Sequence, residues 1–178
     1  MANRNAPSGF LPVNLPTGGG GQPVVEEFDL TVANSEIGVG TPVKWVSGLI
    51  DRAAAADALA GIAAEYKAAS AGGKIAVWSD PNQRFVAQTD DGTGTLTAVG
   101  GIGLNTSFVG TGVTNRRSTA ELDQSEGATT ATLEFKVLKL SPEYSGSGGI
   151  KNVYGEFNRL IVKINNHQFG SSTGTAGT

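Results

Sequence analysis

The sequence predicts an all-β fold, a compact antiparallel β-barrel or sandwich-like domain, and three observations carry that expectation. Glycine is frequent, 26 of 178 residues, and clusters in "TGGGGQP", "DDGTGT", "VGGIGLN", "VGTGVT", "SGSGG" and "GSSTGTAGT". Between the clusters lie short β-branched runs whose apolar residues recur at every second position, as in half-buried strands joined by turns. Both ends, residues 1–23 and 170–178, are poor in large apolar side chains and rich in Gly, Pro, Ser, Thr and Asn. They read as an extended N-terminal arm and a flexible Gly-rich C-terminal tail on a single β-rich domain over 24–169. A chain of 178 residues has the length of one domain and can bury roughly 70% of its unfolded surface.

The strands follow in order. "FDLTVA" sets Phe28, Leu30 and Val32 on one face and Asp29 and Thr31 on the other. In "TPVKWVSG", Val43 and Trp45 face together while Lys44 points away. "KIAVWSDPNQRFVAQTD" has the form of a hairpin, in which Ile75 and Val77 share one face and Phe85 and Ala87 another. Its Asp80-Pro81-Asn82 supplies turn chemistry: proline presets φ, and the flanking side chains bond local backbone. "ATLEFKVLKL" turns Leu133, Phe135 and Val137 inward and Glu134 and Lys136 outward. The adjacent apolar pair Val137-Leu138 breaks that alternation and predicts a bulge or a second buried face. In the last run Leu160, Val162 and Ile164 alternate with Ile161, Lys163 and Asn165, and the ladder ends near the amides of "NNHQ".

One segment is ambiguous. "DRAAAADALAGIAAEYKAAS" is rich in alanine, and Leu59, Ile62 and Tyr66 would share a helix face, so propensity favours a helix. Gly61 in its middle would cost that helix about 1 kcal/mol. As a strand the same residues place Ile62, Ala64 and Tyr66 opposite Ala63 and Glu65.

The chemistry open to the chain is narrow. A net charge of −3 with 16% charged residues gives no general attraction to nucleic acid or an anionic membrane. The absence of cysteine removes disulfides, thiolate nucleophiles and Cys-type zinc sites together. No apolar run nears the roughly 20 residues that span a bilayer. "MANRNAPSGF" lacks the apolar core of a signal peptide, which predicts a soluble product made in the cytoplasm. His167 is the only histidine, so any Ser-His-Asp triad or histidine metal site would be built on it. Close to a terminus read as flexible, it is expected to be an exposed or interface hydrogen-bonding group.

Other motifs point to structure. In "VGGIGLN" the third glycine position of a dinucleotide loop holds Thr106, and a strand-to-turn junction is the better reading. Glu26-Glu27 and Asp90-Asp91 are adjacent carboxylates that a strand would send to opposite faces, which suits neither calcium nor glycoside chemistry. Arg116-Arg117 reads as a loop charge or an interface contact. No catalytic, cofactor or metal residue is assigned.

Several stretches match a known pattern in order: "MANRNAPSGFLPVNLPTGG", "GTPVKW", "GIGLN", "STAELD" followed by "ATTATLEFKVLKL", and "LIVKINNHQF". Together they resemble a family of tailed-bacteriophage capsid decoration, or cement, proteins, which begin Met-Ala-Asn and continue into an Ala-Pro-x-Gly-Phe-x-Pro-Val arm. The resemblance runs from residue 1 to about 169, and its weight lies in the order and spacing of short motifs. The four-glycine run at 18–21 and the glycine-rich tail depart from it. Where the family carries an Asp-Ala-x-Leu-Gly-Val-type strand this chain has "DALAGIAAEYKA", so the resemblance predicts a strand over 59–67, with a short helical turn over 52–58 left open.

The resemblance implies a non-enzymatic virion structural protein without a cofactor, made in the host bacterial cytoplasm. It would bind the outer capsid surface across contacts of the major capsid protein, as a homotrimer, and stabilise the shell. The contact candidates are Phe10, Leu11, Pro12 and Val13 in the arm, Arg116 and Arg117, and Asn165, Asn166 and His167, whose polar groups would pair backbone or subunit edges. A second reading is a small adhesive or carbohydrate-binding module of a phage fibre or bacterial surface, with Trp45 and Trp78 as a stacking platform. A small hydrolase lacks a nucleophile–base set.

Overall fold

The computed structural model describes residues 3–13, 23–32, 34–90, 92–142, 152–170 and 174–177. It is all-β. In chain order the strands are β1 (Leu11–Pro12), β2 (Val25–Asp29), β3 (Pro42–Val46), β4 (Leu49–Arg52), β5 (Gly61–Ala63), β6 (Lys74–Trp78), β7 (Arg84–Gln88), β8 (Asn105–Thr106), β9 (Phe108–Val109), β10 (Val113–Thr114), β11 (Arg117–Ser118), β12 (Glu121–Leu122), β13 (Phe135–Leu140) and β14 (Arg159–Ile164). Short 3-10 turns at Thr95–Thr97, Val99–Gly101 and Gln124–Glu126 are the only helical elements among the described residues.

Two five-stranded antiparallel sheets dominate, one in the order β1-β7-β14-β13-β8 and the other β2-β6-β5-β3-β4. Neither closes into a barrel. The second curls until Leu30, just past β2, meets Ile50 of β4 through a single parallel bridge. Each sheet has its own core. The first packs Phe10 flat on Phe135 at 4.2 Å between ring centroids, with Phe108 edge-on to both. The second encloses a smaller aliphatic cluster of Leu30, Ile37, Val43, Ile50, Ile75 and Val77.

Alternation placed most inward residues correctly, because half-buried antiparallel strands send successive side chains to opposite faces. Ile75, Val77, Phe85, Phe135, Val137, Leu160 and Val162 are all fully buried. The predicted irregularity at Val137-Leu138 is a register shift between Val137 and Lys139 against β14. Val32 departs from the pattern and is 70% exposed, since the strand ends by Leu30. Glu134 departs further. Its side chain is fully buried rather than outward, beneath the turn that contains Ala56.

The expected hairpin is instead a corner. β6 lies in the second sheet and β7 in the first. Trp78 already pairs with Val25 on one side and Ile62 on the other, so β6 has no free edge for β7. The turn chemistry is nevertheless as read: Asn82 N–H donates to Asp80 Oδ1 at 2.8 Å, and Gln83 N–H to the Asp80 carbonyl at 2.9 Å.

The ambiguous segment is extended. Leu59 bridges to His167, β5 inserts between β3 and β6, and Lys67 bridges to Ile37. Gly61 has a structural reason: a Cβ there would lie 2.4 Å from the Trp78 carbonyl oxygen. Residues 52–58 are not a helix; Arg52 ends β4, and Ala55 and Ala56 form a turn.

The largest correction concerns the ends. Phe10, read as an anchor for another molecule, is fully buried in the first core, and β1 pairs with β7. Gly9, at φ +69°, sits so close that a Cβ would lie 2.7 Å from the Gly40 carbonyl oxygen. Residues 3–13 are therefore part of the domain, not an arm outside it. In the tail, Thr175 N–H donates to Asn165 Oδ1 at 3.0 Å and Gly177 N–H to the Thr129 carbonyl at 3.1 Å, which fixes 174–177 to the domain as well. The arm's residues 1–2 and 14–22 and the tail's 171–173 and 178 lie outside the described residues.

Candidate functional site

The candidate contact residues do not come together. Leu11, Pro12 and Val13 are half-buried beside β7, and Val13 N–H donates to the Arg84 carbonyl at 2.9 Å. Arg116 and Arg117 are exposed at the β10–β11 turn, where Asn115 and Arg116 both take positive φ. The Arg116 guanidinium lies 5.5 Å from the centre of the Tyr66 ring, a cation–π contact within the chain. Trp45 and Trp78 make no common platform: Trp45 packs on the second core and Trp78 on the first.

Asn165, Asn166 and His167 lie where β14 leaves the first sheet and runs across to the second. All three are buried, so none is a free contact group. Asn165 Nδ2 donates to the Ala131 and Leu133 carbonyls at 2.8 and 3.0 Å, and Asn166 Nδ2 to the Thr132 carbonyl at 3.2 Å. Their amides stitch the loop before β13 to the end of β14, as amides must when loop carbonyls are taken from water. The backbone N–H of Asn165 also donates to the Glu134 carbonyl at 2.6 Å.

His167 is 2% exposed, which overturns the expectation of a surface group. Its Nδ1 accepts the Phe169 N–H at 3.0 Å, so the neutral ring carries its proton on Nε2. Burial pushes its pKa down to about 4, against the opposing pull of the Ser79 backbone and the Asp80 charge. The ring is uncharged at neutral pH. Glu134 is the converse case. Burial pushes its pKa up, opposed by hydrogen bonds that include the Ser107 side chain and the Ala56 N–H.

Past His167 the chain places Phe169 at the open end of the curled second sheet. Gln168 secures it: its N–H donates to the Leu59 carbonyl at 2.8 Å and its Oε1 accepts the Trp45 N–H at 2.7 Å. Phe169 then joins Phe28 and Trp45 in a ring cluster with centroids 5.0–6.1 Å apart. Beside it opens a groove of about 490 Å³, lined by Val24, Glu26, Phe28, Ser79, Asp80, Pro81 and Phe169. Val24 and Phe169 are about half exposed, at 52% and 49%. The Ser79 hydroxyl donates to the Glu26 carboxylate and holds it at the rim.

The sequence singled out none of this groove as a unit, because its walls come from three separate segments. One signal was available: Val24, Glu26 and Phe28 recur at a period of two and so face the same way. Compared with protein-family models, with curated proteins and with solved structures, the chain gives no match in any of the three.

Proposed function

We propose that this protein is a non-enzymatic capsid decoration protein. It binds the outer surface of a phage shell across contacts of the major capsid protein, sits there as a homotrimer, and stabilises the particle. The order of motifs along the chain first suggested this reading. The structural observation that supports it best is strand β2. It forms one end of the second sheet, residues Val24 to Glu27 are exposed in succession, and no described strand pairs with its outer side along that stretch; β4 meets the chain only past it, at Leu30. An edge of this kind, flanked by the apolar side chains of Val24, Val25 and Phe169, is a template for a strand or arm of another chain. Many such contacts repeated over a symmetric shell add by avidity. A ligand that prefers the intact lattice stabilises it by mass action.

The docking surface differs from the one read in the sequence. Phe10 is committed to the core, and the amides of Asn165 and Asn166 are committed to backbone, so contact falls to the β2 edge and its surroundings. The test adds purified protein to particles stripped of it and measures co-sedimentation and rupture temperature. Wild-type protein is expected to bind and to raise that temperature. Val25→Lys, which puts a charge on the exposed edge, is expected to fold normally and to lose most binding. Particles equally robust with and without the protein would reject the reading.

A further inference from the structure

The groove beside β2 combines features that select one kind of occupant. Its lining combines the apolar and aromatic side chains of Val24, Phe28, Pro81 and Phe169 with the carboxylates of Glu26 and Asp80. Neither carboxylate has a cationic partner among the described residues, whose ion pairs are Lys44–Asp57 and Lys67–Glu65. The nearby imidazole of His167 supplies no charge at neutral pH. Both carboxylates are also fixed before any ligand arrives, Glu26 by the Ser79 hydroxyl and Asp80 by the Asn82 N–H.

We propose that this groove is a receptor for a cationic side chain, an arginine or lysine with its aliphatic stem, presented by a partner protein. The stem lies along Val24 and Pro81, the charged head meets the ring faces of Phe28 and Phe169, and the two carboxylates take its N–H donors. Aromatic faces attract cations through their quadrupole, and carboxylates match the guanidinium fork. An anion would meet two like charges. A purely apolar occupant would strip water from two carboxylates and return no hydrogen bond. The volume of about 490 Å³ admits a whole side chain. The inference rests on the docking reading for its partner alone, since it predicts that the capsid segment lying along β2 carries a basic residue; the recognition chemistry stands on the groove.

Two measurements separate the two claims. The first titrates the protein with N-acetyl-arginine amide and with its neutral isostere, N-acetyl-citrulline amide, following backbone amide NMR signals. Saturable shifts confined to residues 24–28, 79–81 and 169 are expected with arginine. Binding of the citrulline compound is expected to be about five-fold weaker or more, the scale of a solvent-facing ion pair. Glu26→Gln should abolish that preference, and Asp80→Asn should reduce it, with the rest of the spectrum unchanged. Equal binding of the two compounds, no saturable shift with either, or shifts at these residues with a simple glycan but not with arginine would each overturn the receptor. The second compares wild type with Glu26→Gln for binding to stripped particles. Loss on substitution supports the receptor as part of docking. Wild-type and variant binding equally would remove the groove from docking while leaving the capsid reading intact. Arginine recognition without any particle binding would reject the capsid reading and keep the receptor.

Discussion

The N-terminal segment, residues 3–13, and the segment from Asn165 onward share a composition of small and polar residues, yet their principal anchors differ. The first is pinned at its end by one apolar side chain, with polar contacts from Asn3, Asn5 and Ala6 at its start. Phe10 packs flat on Phe135 and edge-on to Phe108, and the two residues after it add a short strand to the first sheet. The second is held by polar side chains. Asn165 alone donates to the Ala131 and Leu133 carbonyls and accepts from both the N–H and the hydroxyl of Thr175. Average composition cannot distinguish a segment with such an anchor from one without it. A single ring at a site that excludes water anchors the residues beside it. A buried amide does so only where it finds carbonyls that no other donor reaches.

Phe10→Ala tests the apolar anchor most directly. Removing a fully buried ring from a three-phenylalanine cluster leaves a cavity, and losses of about 3–5 kcal/mol are usual for that change. Denaturant titration is expected to show a loss in this range across the whole domain. A loss below about 1 kcal/mol would return residues 3–13 to the status of an independent arm.

The C-terminal segment should respond to pH where the N-terminal one does not. His167 has a folded pKa of about 4 against an ordinary value of 6.5, so folding favours its neutral form. The stability it contributes is present above pH 6.5 and is lost as pH falls through the folded value. A depression of this size corresponds to about 3 kcal/mol. Stability measured from pH 7 to pH 4 should decline by an amount of that order. His167→Gln should flatten the decline, although it fits the ring's space less well. A wild-type profile that is flat over this interval would place the imidazole in water.

The legible part of this fold was its local periodicity. Alternation identified the inward faces of β6, β7, β13 and β14, because each of these strands has one face on a core and the pleat does the rest. Pairing was less legible. Asp80-Pro81-Asn82 has the chemistry of a tight turn whether the chain folds back on its own strand or turns a corner between sheets, and only the occupancy of both edges of β6 decides. Glu134 was assigned to solvent by the same alternation that placed Phe135 correctly. Its outward face is covered by the turn at 55–56 and by the end of β14, contacts from distant sequence that no period reports. Closeness to the terminus suggests exposure for His167, whereas its bridge to Leu59 carries it between the two sheets. The groove escaped notice for a related reason: residues 24–28, 79–81 and 169 meet only after the second sheet has curled.

Glu134 supplies the smallest and most discriminating test, because its sign is opposite to that of His167. Its folded pKa is raised above the ordinary 4.5, chiefly by burial, so folding favours the protonated acid. The stability that follows is present below pH 4.5 and is lost as pH rises through the folded value. Glu134→Gln is neutral at every pH and keeps an oxygen to accept the Ala56 N–H. The variant should therefore match wild type in acid and become the more stable of the two as pH rises toward neutrality. Measuring both proteins by denaturant titration across that range gives two curves that diverge upward in pH. Curves that stay parallel would mean that the carboxylate reaches water. Combining Glu134→Gln with His167→Gln then asks whether the loop before β13 and the end of β14 behave as one unit. Among the described residues the two side chains are linked through backbone, by the Asn165 and Asn166 N–H groups on the Glu134 carbonyl. Their pH effects should add, since neither substitution removes a bond that the other needs.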